Sequence, residues 1–273
     1  MSVRTRIEVA DFELPQLRWY RTLSKGGQHY RDGVFVAEGE KVVPRLFESS
    51  LEVVSLLASE EWVERLRKPL ESRLEEIDVF VVDKPGMEAL TGRSCYQPLK
   101  AVARIPENGT VEGLLANHSS PGVLVAIEGV SNADNVGAVV RSCVAFGARG
   151  ILVSRCASSP YLRRAVHASM GTLFSTQVVD NCPLVSALNL LRERGFHCLA
   201  AHPAADGRTL AQVDLPQDVC LVLGSEGFGL SPEVLECCDQ AAAIPMASGV
   251  DSLNVASSSA VFLYELQRRF GRM

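Results

Sequence analysis

Short apolar runs alternate with longer amphipathic stretches along the whole chain. In the first hundred residues, the runs over 34–37, 53–57, 77–82 and 99–105 predict strands, because they are short, apolar and bounded by charged or turn-forming positions. Between them, 38–47 and 60–70 place apolar residues at three- and four-residue spacing among charges, the pattern of a surface helix. Residues 106–122 (PENGTVEGLLANHSSPG) shift to Pro, Gly, Asn and Ser with weak periodicity, which predicts a linker with one short helix at most. Beyond it, strands predicted over 123–127, 151–154, 174–179, 197–201, 219–223 and 241–244 alternate with helical stretches. That alternation predicts a mostly parallel sheet covered on both faces. The expected fold class is α/β throughout, with a small domain over 1–105, the linker 106–122 and a larger domain over 123–273.

After the strand 123–127 and the turn that begins at Glu128, Val136, Val139, Val140, Cys143 and Val144 fall on one helical stripe. Asp134 or Asn135 is the expected N-cap. Arg141 lies about 140° round from Val136 at ~100° per residue, off the stripe and able to meet solvent or a ligand.

Composition narrows the function classes. With 273 residues, 47% hydrophobic and 22% charged, the chain has material for two domains with real cores. The longest strongly apolar run is five residues, against the ~18 or more that a membrane span needs. A transmembrane protein is excluded on that basis, and the opening MSVRTRIEVAD has no apolar core of a secretory signal, so a cytoplasmic location is expected. The cysteines at 95, 143, 156, 182, 198, 220, 237 and 238 show no Cys-x-x-Cys spacing and no ligand pattern with the five histidines. Neither a metal site nor a disulfide scaffold is expected, and the cysteines read as small apolar core residues. A net charge of −5 argues against coating nucleic acid through bulk positive charge, but leaves room for a local basic site. Residues 14–35 are such a candidate, carrying Arg18, Arg21, Lys25 and Arg31 against Asp32 alone, interleaved with Trp19, Tyr20 and Tyr30. Cations there would meet phosphates and aromatic faces would meet unpaired bases. Arg268, Arg269 and Arg272 form a second basic group, which equally suits a helix C-terminus.

Three segments of the C-terminal half carry candidate chemistry: Asn135-Val-Gly-Ala-Val-Val-Arg141, then Leu221-Val-Leu-Gly224-Ser-Glu226-Gly227-Phe-Gly229-Leu, then Ile244-Pro-Met246 followed by Ser252-Leu-Asn254-Val. Singly, a glycine loop after a strand reads as a tight turn, and Gly-x-x-Gly-x-Gly is not the dinucleotide order. In this order and at these distances, the three resemble the signature motifs of the SpoU/TrmH branch of the SPOUT superfamily, RNA 2′-O-ribose methyltransferases that use S-adenosyl-L-methionine. The resemblance covers about 150 residues from Val123 onward. A shorter stretch, Arg31-Asp-Gly-Val-Phe-Val-Ala-Glu-Gly-Glu-Lys, resembles the opening of the substrate-binding domain that often precedes this catalytic domain, an α/β module similar to a small ribosomal protein.

The resemblance implies a C-terminal domain tied in a deep trefoil knot, a rare departure from unknotted topology. It implies that Leu223, Gly224, Ser225, Ile244, Met246 and Leu253 hold the cofactor, and that Asn135, Arg141, Glu226, Ser252 and Asn254 act on the substrate, which is RNA: the branch uses ribosomal and transfer RNA, and the separate N-terminal domain favours ribosomal. It also implies a homodimer. Methyl transfer from a sulfonium to a ribose hydroxyl is an in-line displacement, so the protein orients, desolvates and stabilises charge without a covalent nucleophile or a metal. A guanidinium is a poor base, so Arg141 is expected to grip the neighbouring phosphate and ease alkoxide formation. Glu226 is expected to orient Arg141 or the RNA, Asn135 to cap its helix as well as act, and Ser252 to cap the last helix. Two other functions compete. A protein of the same fold could hold RNA without catalysis, although Asn135, Arg141, Glu226, Ser252 and Asn254 are all retained. A dinucleotide-dependent oxidoreductase fits the strand, turn and helix over 123–148, but the glycine order and the acidic residue about 20 positions on are missing.

Overall fold

The apolar runs build two separate sheets, one in each of two compact units. The structure, a computed structural model, describes residues 3–116, 122–203, 208–250 and 252–270. One unit comprises Met1–Glu107 with Tyr161–Phe174, and the other Asn108–Pro160 with Ser175–Met273. Two features depart from the expected division. The helix Val111–Ala116 inside the expected linker buries Val111 and Leu114 in the core of the second unit. Tyr161–Phe174 joins the first unit because Arg163 donates to Glu38 at 2.5 Å, Arg45 donates to the Met170 carbonyl at 2.6 Å, and Phe174 stacks on Phe35 with ring centroids 5.6 Å apart. Residues 117–121 of the expected linker lie outside the described residues.

In the first unit, β1 (Val3–Glu8), β2 (Val34–Glu38), β3 (Val53–Ala58), β4 (Ile77–Val81) and β5 (Leu99–Arg104) form a mixed sheet in the order β1-β4-β3-β5-β2. β1 and β3 run parallel to β4, whereas β5 is antiparallel to both β3 and β2. β1 has no apolar run in sequence: its residues are mostly exposed, and it is held by the edge hydrogen bonds to β4, by side-chain pairs such as Thr5–Asp78 and Arg6–Glu60, and by Ile7 packed against the core. The helix expected over 60–70 is broken into Glu60–Arg65 and Arg67–Glu71. Pro69 lacks the N–H that would bond the Arg65 carbonyl, so the ladder cannot run through. The half-buried Glu38 carboxylate accepts from Lys100 at 2.9 Å as well as from Arg163. Burial alone would raise its pKa, but Lys100 and Arg163 together hold it below the usual carboxylate range.

The second unit has an all-parallel sheet of β6 (Gly122–Ile127), β7 (Gly150–Ser154), β8 (Gln177–Cys182), β9 (His197–Ala201), β10 (Asp218–Leu223) and β11 (Gln240–Ala242), in the order β11-β9-β10-β6-β7-β8. Six of the eight cysteines are buried, as small apolar side chains would be. The strand expected over 174–179 starts later, at Gln177, because Phe174 belongs to a short 3-10 turn whose ring packs in the first unit. From β6 the chain moves outward to β7, and from β10 it moves the other way, past β9 to β11. The ends of β6 and β10 therefore flank a topological switch point, where open parallel sheets place their ligands. The last helix, Val255–Phe270, buries Phe262, Leu263 and Leu266. Its Arg269 donates to the carbonyls of Val213 and Leu210 while Glu265 accepts from both Arg268 and Arg269. Among the described residues no helix is long and apolar enough to cross a membrane.

The hydrogen bonds from Arg268 and then Arg269 lower the Glu265 pKa to about 2, against ~4.3 for an unperturbed glutamate. The stabilisation is therefore complete above about pH 5, declines between the two values and is absent below both. Urea unfolding of wild type and Glu265→Gln across pH 2 to 7 is expected to show a stability difference that is constant above about pH 5 and shrinks as the pH falls.

Candidate active site

The helix that carries the first motif, Ala133–Ala145, starts earlier than expected: Asn132, not Asp134 or Asn135, is its N-cap and accepts from the Asp134 N–H at 3.0 Å. Asn135 is consequently inside the first turn, with its side chain released from capping. At the other end of the chain the cap of Val255–Phe270 is Asn254, whose Oδ1 accepts from the Ala256 N–H at 2.9 Å; Ser252, the expected cap, lies exposed before it.

These two shifts create one hydrogen-bonded chain through all three motifs. The Ala256 N–H can only donate, so it fixes Asn254 Oδ1 as the acceptor and leaves Asn254 Nδ2 to donate to Asn135 Oδ1 at 3.2 Å. Asn135 Nδ2 then donates to Glu226 Oε1. Both amide orientations are set from one end by a backbone N–H, and the chain terminates on an acceptor. Glu226 is thus held by Asn135 and makes no contact with Arg141 among the described residues, which removes the first of the two roles expected of it, orienting Arg141 or the RNA. Arg141 is exposed and makes no hydrogen bond or ion pair among the described residues. Six residues along the helix set it about 9 Å further on and roughly a third of a turn away from Asn135.

The loop that carries Glu226 is closed on itself. Ser225 and Gly229 exchange two backbone hydrogen bonds of 3.0 Å, and Ser225 Oγ accepts from the Phe228 N–H at 3.2 Å. A Cβ on Gly224 would sit 2.4 Å from the Gly229 carbonyl carbon and 2.6 Å from the Leu230 nitrogen, so only glycine lets the loop close. Gly229 turns the chain at φ +68°. Glu128, which the sequence marks only as a turn residue, ties this loop to the first motif: its carboxylate accepts from Ser231 N at 2.8 Å and Ser231 Oγ at 2.7 Å.

Behind the hydrogen-bonded chain lies a cavity of about 330 Å³, at the lower end of the range typical of small-molecule sites. Leu223, Gly224, Ser225, Ile244, Met246 and Leu253 all line it, together with Glu226 and Ser252. The sequence offered no signal for the remaining walls, among them His202 after β9, Phe228 and Phe262. A mostly aliphatic cavity edged by backbone of glycine-bearing loops suits a flat heterocycle with a polar tail.

The basic candidates of the first unit divide. Arg18, Lys25 and Arg31 are exposed, Arg18 lying over the Trp19 ring at 4.3 Å. Arg21 is half-buried and donates to the carbonyls of Phe12 and Leu14, a structural role. Tyr20, one of the three aromatic candidates, is in the core with its hydroxyl 2.8 Å from Ser55 Oγ, and burial pushes its pKa up. Arg268 and Arg269 are engaged by Glu265, and Arg272 lies outside the described residues.

Residues 122–264 match the model of the SpoU rRNA Methylase family. A protein described as an uncharacterized tRNA/rRNA methyltransferase from Mycobacterium avium (strain 104) is 31% identical over 195 residues, which is 71% of this chain and 63% of that relative's length. The structure of an AdoMet-bound rRNA methyltransferase from Sinorhizobium meliloti superposes with a TM-score of 0.84 at 24% identity, covering 97% of this chain and 98% of that one. The structure of an RNA 2′-O ribose methyltransferase superposes with a TM-score of 0.76 at 25% identity, covering 97% and 99%. This chain belongs to the SpoU rRNA methylase family, with the α/β fold of its methyltransferases.

Gly224→Ala is expected to overpack the loop, lowering stability by about 1–3 kcal/mol and weakening ligand binding in the cavity. Chemical denaturation and calorimetric titration check the two effects.

Proposed function

We propose that this protein transfers a methyl group from S-adenosyl-L-methionine to a ribose 2′-hydroxyl of RNA, ribosomal rather than transfer RNA. The observation that carries the reading is the chain Asn254–Asn135–Glu226 at the mouth of the cavity, which unites residues of all three motifs. The family's description favours ribosomal RNA, and the similar structure described as an RNA 2′-O ribose methyltransferase favours the ribose.

The cavity fits the cofactor: aliphatic side chains of Leu223, Ile244 and Leu253 suit a purine and ribose, and the Gly224 backbone permits close approach. Bound there, S-adenosyl-L-methionine supplies an electrophilic methyl on a sulfonium. The chain's own residues do the rest. Met246 and Ser225 complete the wall, and the amide chain fixes the position of Glu226 against the substrate. Ser252, exposed at the cavity, offers a hydroxyl to the target nucleotide. Arg141, free of partners within the described chain, is available to a phosphate, where its fixed positive charge lowers the cost of forming the alkoxide, the hydroxyl proton leaving late in the transfer or to that phosphate. Its absence from the cavity walls supports service to a second copy's cavity in a homodimer. Val261 and Tyr264 on the last helix give that copy an exposed apolar face, Tyr264 meeting Phe146 edge-on at 6.2 Å. Arg18, Lys25 and Arg31 on the first unit, an α/β module like the family's substrate-binding domain, are the cations we assign to RNA phosphates. Passage of the third motif through the preceding loops as a trefoil knot, and a cytoplasmic location, complete the reading.

Labelled methyl transfer into unmodified ribosomal and transfer RNA, followed by nucleoside analysis, tests it. A ribose-methylated nucleoside from ribosomal RNA is expected with wild type, with at least a hundredfold loss in Arg141→Ala at unchanged cofactor affinity. Cofactor binding without transfer into either pool would point to a particle or another RNA as substrate, and absence of cofactor binding would favour the non-catalytic RNA-binding protein. Tyr264→Arg is expected to shift the protein from dimer to monomer in sedimentation equilibrium.

A further inference from the structure

Phe228 is 97% exposed, yet the loop that carries it is closed by its own hydrogen bonds. Its own N–H donates to Ser225 Oγ at 3.2 Å, and the Ser225–Gly229 pair closes the backbone on both sides of it. Gly227 and Gly229 flank it, so no neighbouring side chain on the loop covers either face of the ring. An aromatic side chain left in water gains nothing for the folded monomer, since the hydrophobic contribution comes from area removed from water. A pinned, uncovered ring instead offers a flat face whose ordering cost is already met, apart from the two torsions of its own side chain.

Its place decides what that face meets. Phe228 stands at the rim of the cavity, two residues from Glu226, and so beside the group that the amide chain positions. Resting on the methyltransferase reading above, we infer that Phe228 stacks on an unpaired base of the RNA next to the ribose that is methylated. Unpaired bases expose their faces, and aromatic stacking accepts any of them, so Phe228 selects for single-stranded or splayed-out RNA at the target rather than for base identity. A base on this ring would hold the adjoining ribose over the cavity mouth, where the methyl is delivered.

The test is steady-state methyl transfer into in vitro transcribed ribosomal RNA by the full-length protein, with cofactor affinity and oligomeric state measured alongside. Phe228→Ala is expected to raise KM for RNA about tenfold or more, the range of base–aromatic stacking, with a smaller change in kcat and unchanged cofactor affinity. Phe228→Trp is expected to restore KM and Phe228→Leu is not. Three results overturn the inference: leucine serving as well as tryptophan, a parallel loss of cofactor affinity that makes the ring a cavity wall, or loss of a dimer that makes it an interface residue. If wild type itself transfers no methyl to RNA, the methyltransferase reading falls and takes this inference with it; unchanged KM in Phe228→Ala with an active wild type removes this inference alone.

Discussion

Parallel pairing of β6 with β10, in register from Asp218 opposite Gly122 to Leu223 opposite Ile127, is the constraint on which the site depends. It sets the first residues after each strand, Glu128 and Gly224, side by side at the same edge of the sheet. The Glu128 N–H donates to the Leu223 carbonyl at 2.8 Å, extending the ladder one step beyond the strands. Everything beyond that point is short-range. The closed loop at Gly224, the clasp of Glu128 on Ser231 and the approach of Asn135 to Glu226 all follow once two parallel strands end together. A slip of one residue would turn Leu223 and Ile127 to opposite faces and separate the motifs.

The Asn254–Asn135–Glu226 chain then fixes the one part of the site that the sheet cannot. The third motif follows β11, a strand of only three residues, and reaches the other two motifs through side chains. Asn254 does two things with one amide: its oxygen begins the last helix and its nitrogen binds the first motif. The helix is in turn anchored far from the site by Arg269, which donates to the carbonyls of Leu210 and Val213 and is held in place by Glu265 on the same helix. Disturbing either end of this helix is therefore coupled to the position of Asn135.

The sequence carried much of this in its periodicity. The strands of the second unit were legible because buried parallel strands are nearly continuous apolar runs, as in VLVAI and VCLVL. The six residues of the cavity wall were legible only through a family resemblance, since no spacing rule joins Leu223 to Met246 or Leu253. Other features were hidden for definite reasons. β1 has no buried face to leave a pattern, and Tyr161–Phe174 is bound to the first unit by Arg163 and Phe174, contacts with residues more than a hundred positions away. Tyr20 looked like a surface aromatic among cations, whereas its hydroxyl has a buried partner in Ser55. The helix caps lie two or three positions from those expected because Asn, Asp and Ser crowd both starts, and local preference alone cannot choose among them.

The amide partner of Glu226 matters electrostatically. A guanidinium beside this carboxylate would have made a compact neutral pair at the cavity mouth. Asn135 supplies direction without charge, so the negative charge of the carboxylate is left uncompensated by its hydrogen-bonding neighbour. A site that accommodates a sulfonium gains from a negative charge nearby, and the same charge keeps phosphates away from the cavity itself. Arg141, exposed and without a partner among the described residues, is on the proposed reading the group that attracts phosphate. On the proposed reading the two charges divide the labour, Glu226 favouring the cationic cofactor and Arg141 the anionic backbone of the substrate. The proposed RNA substrate is compatible with an overall charge of −5 only if affinity is local, which is the part the proposal gives to Arg141 and to the exposed Arg18, Lys25 and Arg31.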